Sequence, residues 1–169
     1  MKVPQLTPST IMEGRWNKNK YEVKKKLGQG GIATVYLVCN IKTKQEYAIK
    51  ISEASISINR EYELLKKFSK VDMIVKVYEI DDIKVDGQIY FYILLEYIQG
   101  ENLKDYSKNN RLNSTIIIPI IIILLKGLMA FHDEEYIVGD LKLENLMVDK
   151  KNKKIKIIDL GGVVRKGQS

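Results

Sequence analysis

Ile137-Val138-Gly139-Asp140-Leu141-Lys142-Leu143-Glu144-Asn145, followed shortly by Ile157-Ile158-Asp159-Leu160-Gly161, is the stretch on which the fold turns. Asp140, Lys142, Asn145 and Asp159 are the kinds of group needed to bring a nucleotide phosphate, Mg²⁺ and a hydroxyl together. Further upstream lie a glycine-rich turn, Leu27-Gly28-Gln29-Gly30-Gly31-Ile32-Ala33-Thr34-Val35, and a lysine closing an apolar strand, Tyr47-Ala48-Ile49-Lys50. Any one of these arises by chance. Four elements in this order and at these spacings do not.

The bulk of the chain frames them. Its 169 residues, 45% hydrophobic and 29% charged, read as a globular chain able to bury a sizeable core. A single cysteine, Cys39, leaves no internal disulfide framework, fits a reducing compartment and predicts a cytoplasmic location. Met1 to Thr10 is polar and offers no apolar core of a signal peptide. The apolar run Ile116 to Leu125 falls short of the ~20 residues of a membrane span. With Pro119 inside it and Lys126 after it, the run predicts a buried helix and no membrane segment. The net charge of +7 suits either a polyanionic partner or a plainly solvated lysine-rich surface. Lys24-Lys25-Lys26 and Lys150-Lys151-Asn152-Lys153-Lys154 are predicted on turns or strand edges.

Periodicity divides the chain. Residues 1–13 show no period and are predicted to drape over the surface as an extension. Residues 14–98 are strand-rich: Gly14-Arg15-Trp16 and Tyr21-Glu22-Val23 form a hairpin about Asn17-Lys18-Asn19. Strands follow at Val35–Val38, Glu46–Ile51, Ile74–Ile80 and Ile89–Glu96, the last two joined through Asp86-Gly87. A helix over Ile58–Phe68 interrupts them, with Tyr62, Leu65 and Phe68 near one face. Residues 99–169 turn helical, with a short helix over Glu101–Asn109 and a long buried one over Thr115–His132, then loops with short strands. His132 reads as a packing residue.

Each motif has a chemical reading beside a plain one. Glycines at 28, 30 and 31 let backbone N–H groups approach phosphate oxygens, or simply turn a hairpin. Lys50 ends an apolar strand, so its ammonium is partly desolvated unless it meets an anion. Asp140 and Asp159 also suit ordinary turns.

Together the motifs resemble the protein-kinase signature set. Over roughly residues 20–165 the chain is similar to the Hanks-type (eukaryotic-like) serine/threonine protein kinases of bacteria. The pieces G-R-W…Y-E-V, V-G-D-L-K-x-E-N-L and I-D-L-G-G look like the small kinases of spore-forming bacteria, some of which respond to DNA. The resemblance implies an α+β, protein-kinase-like bilobal fold. An antiparallel β-sheet lobe with one major helix would meet an incomplete helical lobe, with ATP in the crevice between them.

It also implies roles. Gly28, Gly30 and Gly31 cover the phosphates, and Lys50 contacts them while pairing with Glu61, with Glu63, on a different side of the helix, as the competitor. Adenine lies in a slot lined by Val35, Ala48 and Met147, with Leu95 behind it, and bonds backbone groups from Glu96 to Ile98. Asp140 accepts the proton of the attacking hydroxyl, Lys142 neutralises the transferred phosphoryl, and Asn145 and Asp159 hold Mg²⁺. A protein serine or threonine is the acceptor, and DNA or another polyanion is a further partner.

The chain departs from the pattern in places. H-R-D is Val138-Gly139-Asp140, which removes the arginine that reads a phosphorylated activation loop. D-F-G is Asp159-Leu160-Gly161, the third loop glycine is Ala33, and the proline after the lysine is Leu143. The sequence stops at Ser169, before the elements that complete the family's large lobe, and is therefore expected to be a truncated catalytic domain. Two other classes share parts of the pattern. Small-molecule kinases of the aminoglycoside or choline type carry G-D-x-x-x-x-N but usually lack a counterpart of Lys142. A nucleotide-binding, non-catalytic scaffold would not need Lys50, Asp140, Asn145 and Asp159 together.

Overall fold

The structure, a computed structural model, describes residues 4–111, 113–152 and 154–167. It divides into two compact units: Met1–Tyr62 with Lys76–Tyr97, and Glu63–Val75 with Ile98–Ser169. Residues 63–75, which periodicity groups with the strands, thus belong to the second unit. Lys153 lies outside the described residues.

Among the described residues the first unit carries a six-stranded antiparallel sheet. Its strands are β1 (Ile11–Glu13), β2 (Lys20–Gln29), β3 (Ala33–Asn40), β4 (Glu46–Ser52), β5 (Val77–Val85) and β6 (Gln88–Glu96), in the order β1-β2-β3-β4-β6-β5. Helix α1 (Ser55–Lys67) lies between β4 and β5 in the chain and spans the division. β4 is central, and its buried run from Ala48 to Ser52 matches a strand covered on both faces. One core gathers Tyr21, Val23, Tyr36, Val38, Ile49, Ile51, Tyr92 and Leu94. The β5–β6 hairpin turns on Asp86 and Gly87, both at positive φ, as a two-residue turn with the strands' own twist demands.

The first hairpin departs from expectation. Its leading strand is Ile11–Glu13, with Met12 in the core, while Gly14 to Trp16 form the turn. Residues 11–13 therefore pair with β2 rather than drape over the surface. Buried Asp81 and Asp82 hold that turn. The Trp16 and Asn17 N–H groups donate to Asp81 carboxylate oxygens, Arg15 bridges Asp82 at 2.9 Å, and the Trp16 indole N–H donates to Asp82 at 3.0 Å.

The second unit carries β7 (Gly100–Asn102), helices α2 (Leu103–Asn109) and α3 (Ser114–Asp133), then β8 (Tyr136–Val138), β9 (Leu146–Asp149), β10 (Ile155–Ile157) and β11 (Val163–Arg165). β10, β9 and β7 form one small sheet, and β11 with β8 another. The residues after Ile98 thus add a strand where the sequence reading expects the sheet to end. Gly100 is required there, since a Cβ would stand 1.9 Å from the Val148 carbonyl oxygen. Asn102 and Asn113 cap α2 and α3 by accepting from the Asp105 and Ile116 N–H groups.

Helix α3 overturns one expectation, its burial. It runs 20 residues, past Leu125 to Asp133, so it is long and apolar enough to cross a membrane by length and composition. One such helix does not by itself make a membrane segment. Nor is it buried: Gly127 and Phe131 are, but Ile118, Ile121, Ile122, Leu125 and Met129 are exposed, as is His132. The reason is local. α3 touches its own unit along one narrow stripe, Gly127 against Met73 and Phe131 against Phe68 at 4.0 Å between ring centres.

Candidate active site

The first unit builds an uncrowded glycine turn and a buried ion pair. At the end of the β2–β3 hairpin Gly30 N–H donates to the Ala33 carbonyl at 2.8 Å, closing the turn. Gly28, Gly30 and Gly31 are not at positive φ. A Cβ at Gly28 or Gly31 would meet nothing within 4 Å, and at Gly30 only the Ala33 oxygen at 3.8 Å. Neither backbone conformation nor internal crowding therefore demands glycine. What smaller side chains do allow is the approach of an outside group to bare backbone, so this turn fits phosphate. Ser52 braces it: its hydroxyl donates to the Ile32 carbonyl at 2.6 Å and accepts from the Ala54 N–H at 3.0 Å.

Strand register sets Lys50 beside the turn, opposite Val35 on β3 and Ile93 on β6. Its ammonium donates to both Glu61 carboxylate oxygens, at 2.8 and 2.7 Å, with 11% and 2% of the two side chains exposed. Glu61 belongs to the buried stripe of α1, Ile58-Glu61-Leu65-Phe68, spaced three and four residues apart. An acid on such a stripe needs a partner, and Lys50 supplies it. Glu63 lies off the stripe and is exposed.

The remaining first-unit candidates line β3, β4 and β6. Ala48 is buried and pairs with Leu95, while Val35 is half-buried. The Glu96 N–H donates to the Lys76 carbonyl at 2.8 Å, and its carboxylate accepts from the Lys76 N–H at 3.3 Å. The Glu96 N–H is thus committed to the chain.

The second unit closes Asp140, Lys142, Asn145 and Asp159 onto one another. Two antiparallel strands, β8 and β11, pair Val138 with Val163 and Ile137 with Val164, which draws the two motif loops together. At the mouth of this ribbon the Gly139 N–H donates to the Gly162 carbonyl at 3.0 Å. A Cβ on Gly162 would stand 2.5 Å from the Asp140 Cβ and 3.0 Å from its amide nitrogen. Lys142 donates to Asp140 Oδ2 at 2.7 Å, and this bond, with the Asp159 charge adding to it, holds the Lys142 ammonium above the usual lysine range. Asn145 is buried in a 3₁₀ turn and donates from Nδ2 to the Asp140 carbonyl at 3.1 Å. Asp159 accepts from the Gly161 N–H at 2.8 Å, and Leu160 beside it is fully buried, so the apolar position of the motif is filled.

Mg²⁺ fits this donor set. With Nδ2 engaged, Asn145 has its amide oxygen to offer, and Asp159 supplies a carboxylate. Both are hard oxygen ligands, suited to a cation that completes its shell with water and phosphate. Among the described residues no cluster of three or more His, Cys, Asp or Glu gathers for a metal. Met147 is half-buried on β9, and Ile98 is buried.

A protein kinase domain model matches residues 21–168. The chain belongs to the protein kinase family. Its relatives include the serine/threonine-protein kinase YabT of Bacillus subtilis, 34% identical over 97% of this chain and 49% of that protein. The B. subtilis kinase PrkC is 28% identical over 89% of this chain and 24% of its own length. CBL-interacting protein kinase 10 of Oryza sativa is 32% identical over 84% and 32%. The chain thus spans about half the length of the first of these and less of the others. The family generally uses ATP and Mg²⁺.

Two positions escaped the sequence reading. Gly162 had its signal, the second glycine of I-D-L-G-G, but only the approach to Asp140 gives it a purpose. Ser52 had none, because a hydroxyl two residues past Lys50 looks like any other.

Proposed function

We propose that the chain is the ATP- and Mg²⁺-dependent catalytic part of a protein serine/threonine kinase. The observation that carries this reading is the knot of Asp140, Lys142 and Asn145 against Gly162 and the Asp159 loop. Bound Mg·ATP supplies the phosphoryl group and spreads its charge. The chain's own part is positioning and electrostatics. With Oδ2 engaged by Lys142, Asp140 Oδ1 takes the proton of a serine or threonine hydroxyl. The hydroxyl oxygen bonds to the γ-phosphorus as its bond to the β–γ bridging oxygen breaks, and ADP leaves. Lys142 faces the developing charge, and Asn145 and Asp159 hold the cation. Lys50, fixed by Glu61, meets the α- and β-phosphates under the backbone of Gly28, Gly30 and Gly31. Val35, Ala48 and Met147 offer apolar contact to adenine, with backbone groups from Glu96 to Ile98 as its polar partners.

Transfer of radiolabelled phosphate from ATP to a generic protein substrate tests this. Turnover should vanish on chelation of Mg²⁺ and in Asp140→Asn, while Asp140→Asn keeps nucleotide affinity. Asp140→Asn losing ATP binding as fully as Asp159→Asn would overturn the roles. A polyanion such as DNA is a further partner on this reading, supported by the exposure of Lys24, Lys25, Lys26, Lys150 and Lys151. Binding of that kind weakens steeply with salt and ignores base sequence. Anisotropy with duplex DNA that stays flat at low and high salt removes it.

A further inference from the structure

We propose that the notch where α3 passes the Val71–Met73 segment is a docking groove for an acidic peptide segment bearing a bulky aliphatic side chain. The notch is a cavity of ≈ 300 Å³ whose floor is Met73, Ile123, Gly127 and Ile155, with Lys126 and Lys154 at its rim. All of these residues belong to the second unit, and none takes part in the transfer described above, so the inference stands apart from the kinase reading.

Gly127 makes the notch. A Cβ there would stand 1.6 Å from the Met73 sulfur, so the helix lies against Met73 only because the side chain is missing. One turn earlier on the same face, Ile123 stands 41% exposed and walls the recess. Met73 and Ile155 are buried beneath it at 5% and 4% exposure. This floor is hydrocarbon and thioether with no strong donor, which suits an aliphatic side chain rather than a polar ligand.

The rim sets the partner's charge. Lys126 and Lys154 are exposed. Asp72 is the one carboxylate of the lining, and it is engaged with Lys154 at 2.9 Å with 81% of its side chain in solvent. So open a bridge is readily exchanged for a carboxylate arriving on a ligand. Among the described residues Lys126 has no ion-pair partner, which leaves the rim net positive. A nucleic acid would bring anionic charge but no alkyl group for the floor. A peptide brings both on neighbouring residues, and complementary charge orients it.

The test titrates a fluorescein-labelled Glu-Asp-Leu-Glu-Leu-Asp peptide against the full chain by anisotropy. Parallel arms use the same peptide with both leucines replaced by glycine, one with the acids replaced by lysine, and unlabelled duplex DNA as competitor. Saturable binding of the first peptide alone is expected, weakened roughly tenfold by Lys126→Glu with Lys154→Glu and by a smaller factor by the corresponding alanines. Ile123→Ser should weaken it too, by loss of the apolar wall. These are surface substitutions, and an unchanged far-ultraviolet spectrum confirms the fold. Equal binding by the leucine-free peptide, equal displacement by DNA, insensitivity to the charge reversals, or no saturable binding would each overturn the proposal.

Discussion

Replacing one member of the Lys50–Glu61 pair should cost the first unit far more than replacing both. The ammonium donates to both carboxylate oxygens at 2.8 and 2.7 Å, with 11% and 2% of the side chains exposed, so neither charge can turn to water without moving helix or strand. Glu61→Leu leaves a buried ammonium and should destabilise by about 3–5 kcal/mol, and Lys50→Met leaves a buried carboxylate at similar cost. Against a typical domain stability of ~5–15 kcal/mol, either is a large fraction. The double variant replaces the pair with apolar groups of similar volume, for which the desolvation cost disappears with the attraction. It should therefore lie close to the parent, giving a coupling above ~2 kcal/mol in the cycle. Urea unfolding followed by far-ultraviolet circular dichroism gives the four free energies. Additive single losses, or single losses under ~1 kcal/mol as for a solvated bridge, would refute the argument. The double variant also separates fold from function, since it should remain folded and yet lose affinity for Mg·ATP.

Gly162→Ala should drop turnover by at least ~10-fold, because its Cβ would stand 2.5 Å from the Asp140 Cβ, and small displacements of a reacting group are costly; full activity would mean that the two loops are less tightly joined. Burial is the main cause raising the Tyr92 and Tyr21 hydroxyls above the ordinary tyrosine range, so above about pH 10 the folded state keeps protons that the unfolded chain releases. Stability should therefore be intact below that pH and fall as pH rises through it, and a urea midpoint that stays level from pH 9 to 11 would contradict this. Calorimetry with a non-hydrolysable ATP analogue should show affinity that drops on chelation in the parent but changes little in Asp159→Asn, whereas equal chelator sensitivity in both would remove Asp159 from the cation.

What was legible follows how local each signal is. The Asp86-Gly87 turn and helix α1 are set by neighbours in sequence and stand close to where patterning puts them, whereas the strand expected over Ile74–Ile80 runs from Val77 to Val85 and the buried helix face is Ile58, Glu61 and Leu65 rather than one led by Tyr62. The meeting of Asp140, Lys142 and Asn145 was legible because the motif holds these groups at fixed, short spacing. β7 was not, since this three-residue strand owes its existence to β9, far along the chain, and patterning puts β1, also three residues long, a few positions late in its hairpin with β2. Residues 63–75 group with the second unit through Val75 and Met73, which exchange backbone bonds with Ile157, a partner that no local pattern reveals.

Helix α3 shows how hydropathy and burial part company. Its composition speaks of what the side chains are, not of what covers them, and isoleucines stand on every face. What fixes the helix is its last two turns. Gly127 lets Met73 close against the backbone, and Phe131, fully buried, stacks with Phe68, which in turn meets Tyr136 edge-on at 5.5 Å between ring centres. Tyr136 opens β8, the strand that delivers Asp140. Contact energy concentrated at Phe131 therefore orients the catalytic loop, while the exposed isoleucines toward the start of α3 contribute little to that geometry. Truncating Phe131 removes a buried aromatic worth about 3–5 kcal/mol and loosens the aromatic stack on which β8 begins. A polar residue at Ile118, 54% exposed, opens no cavity and leaves that stack intact. In this helix the apolar residues that matter to function are the few that touch something.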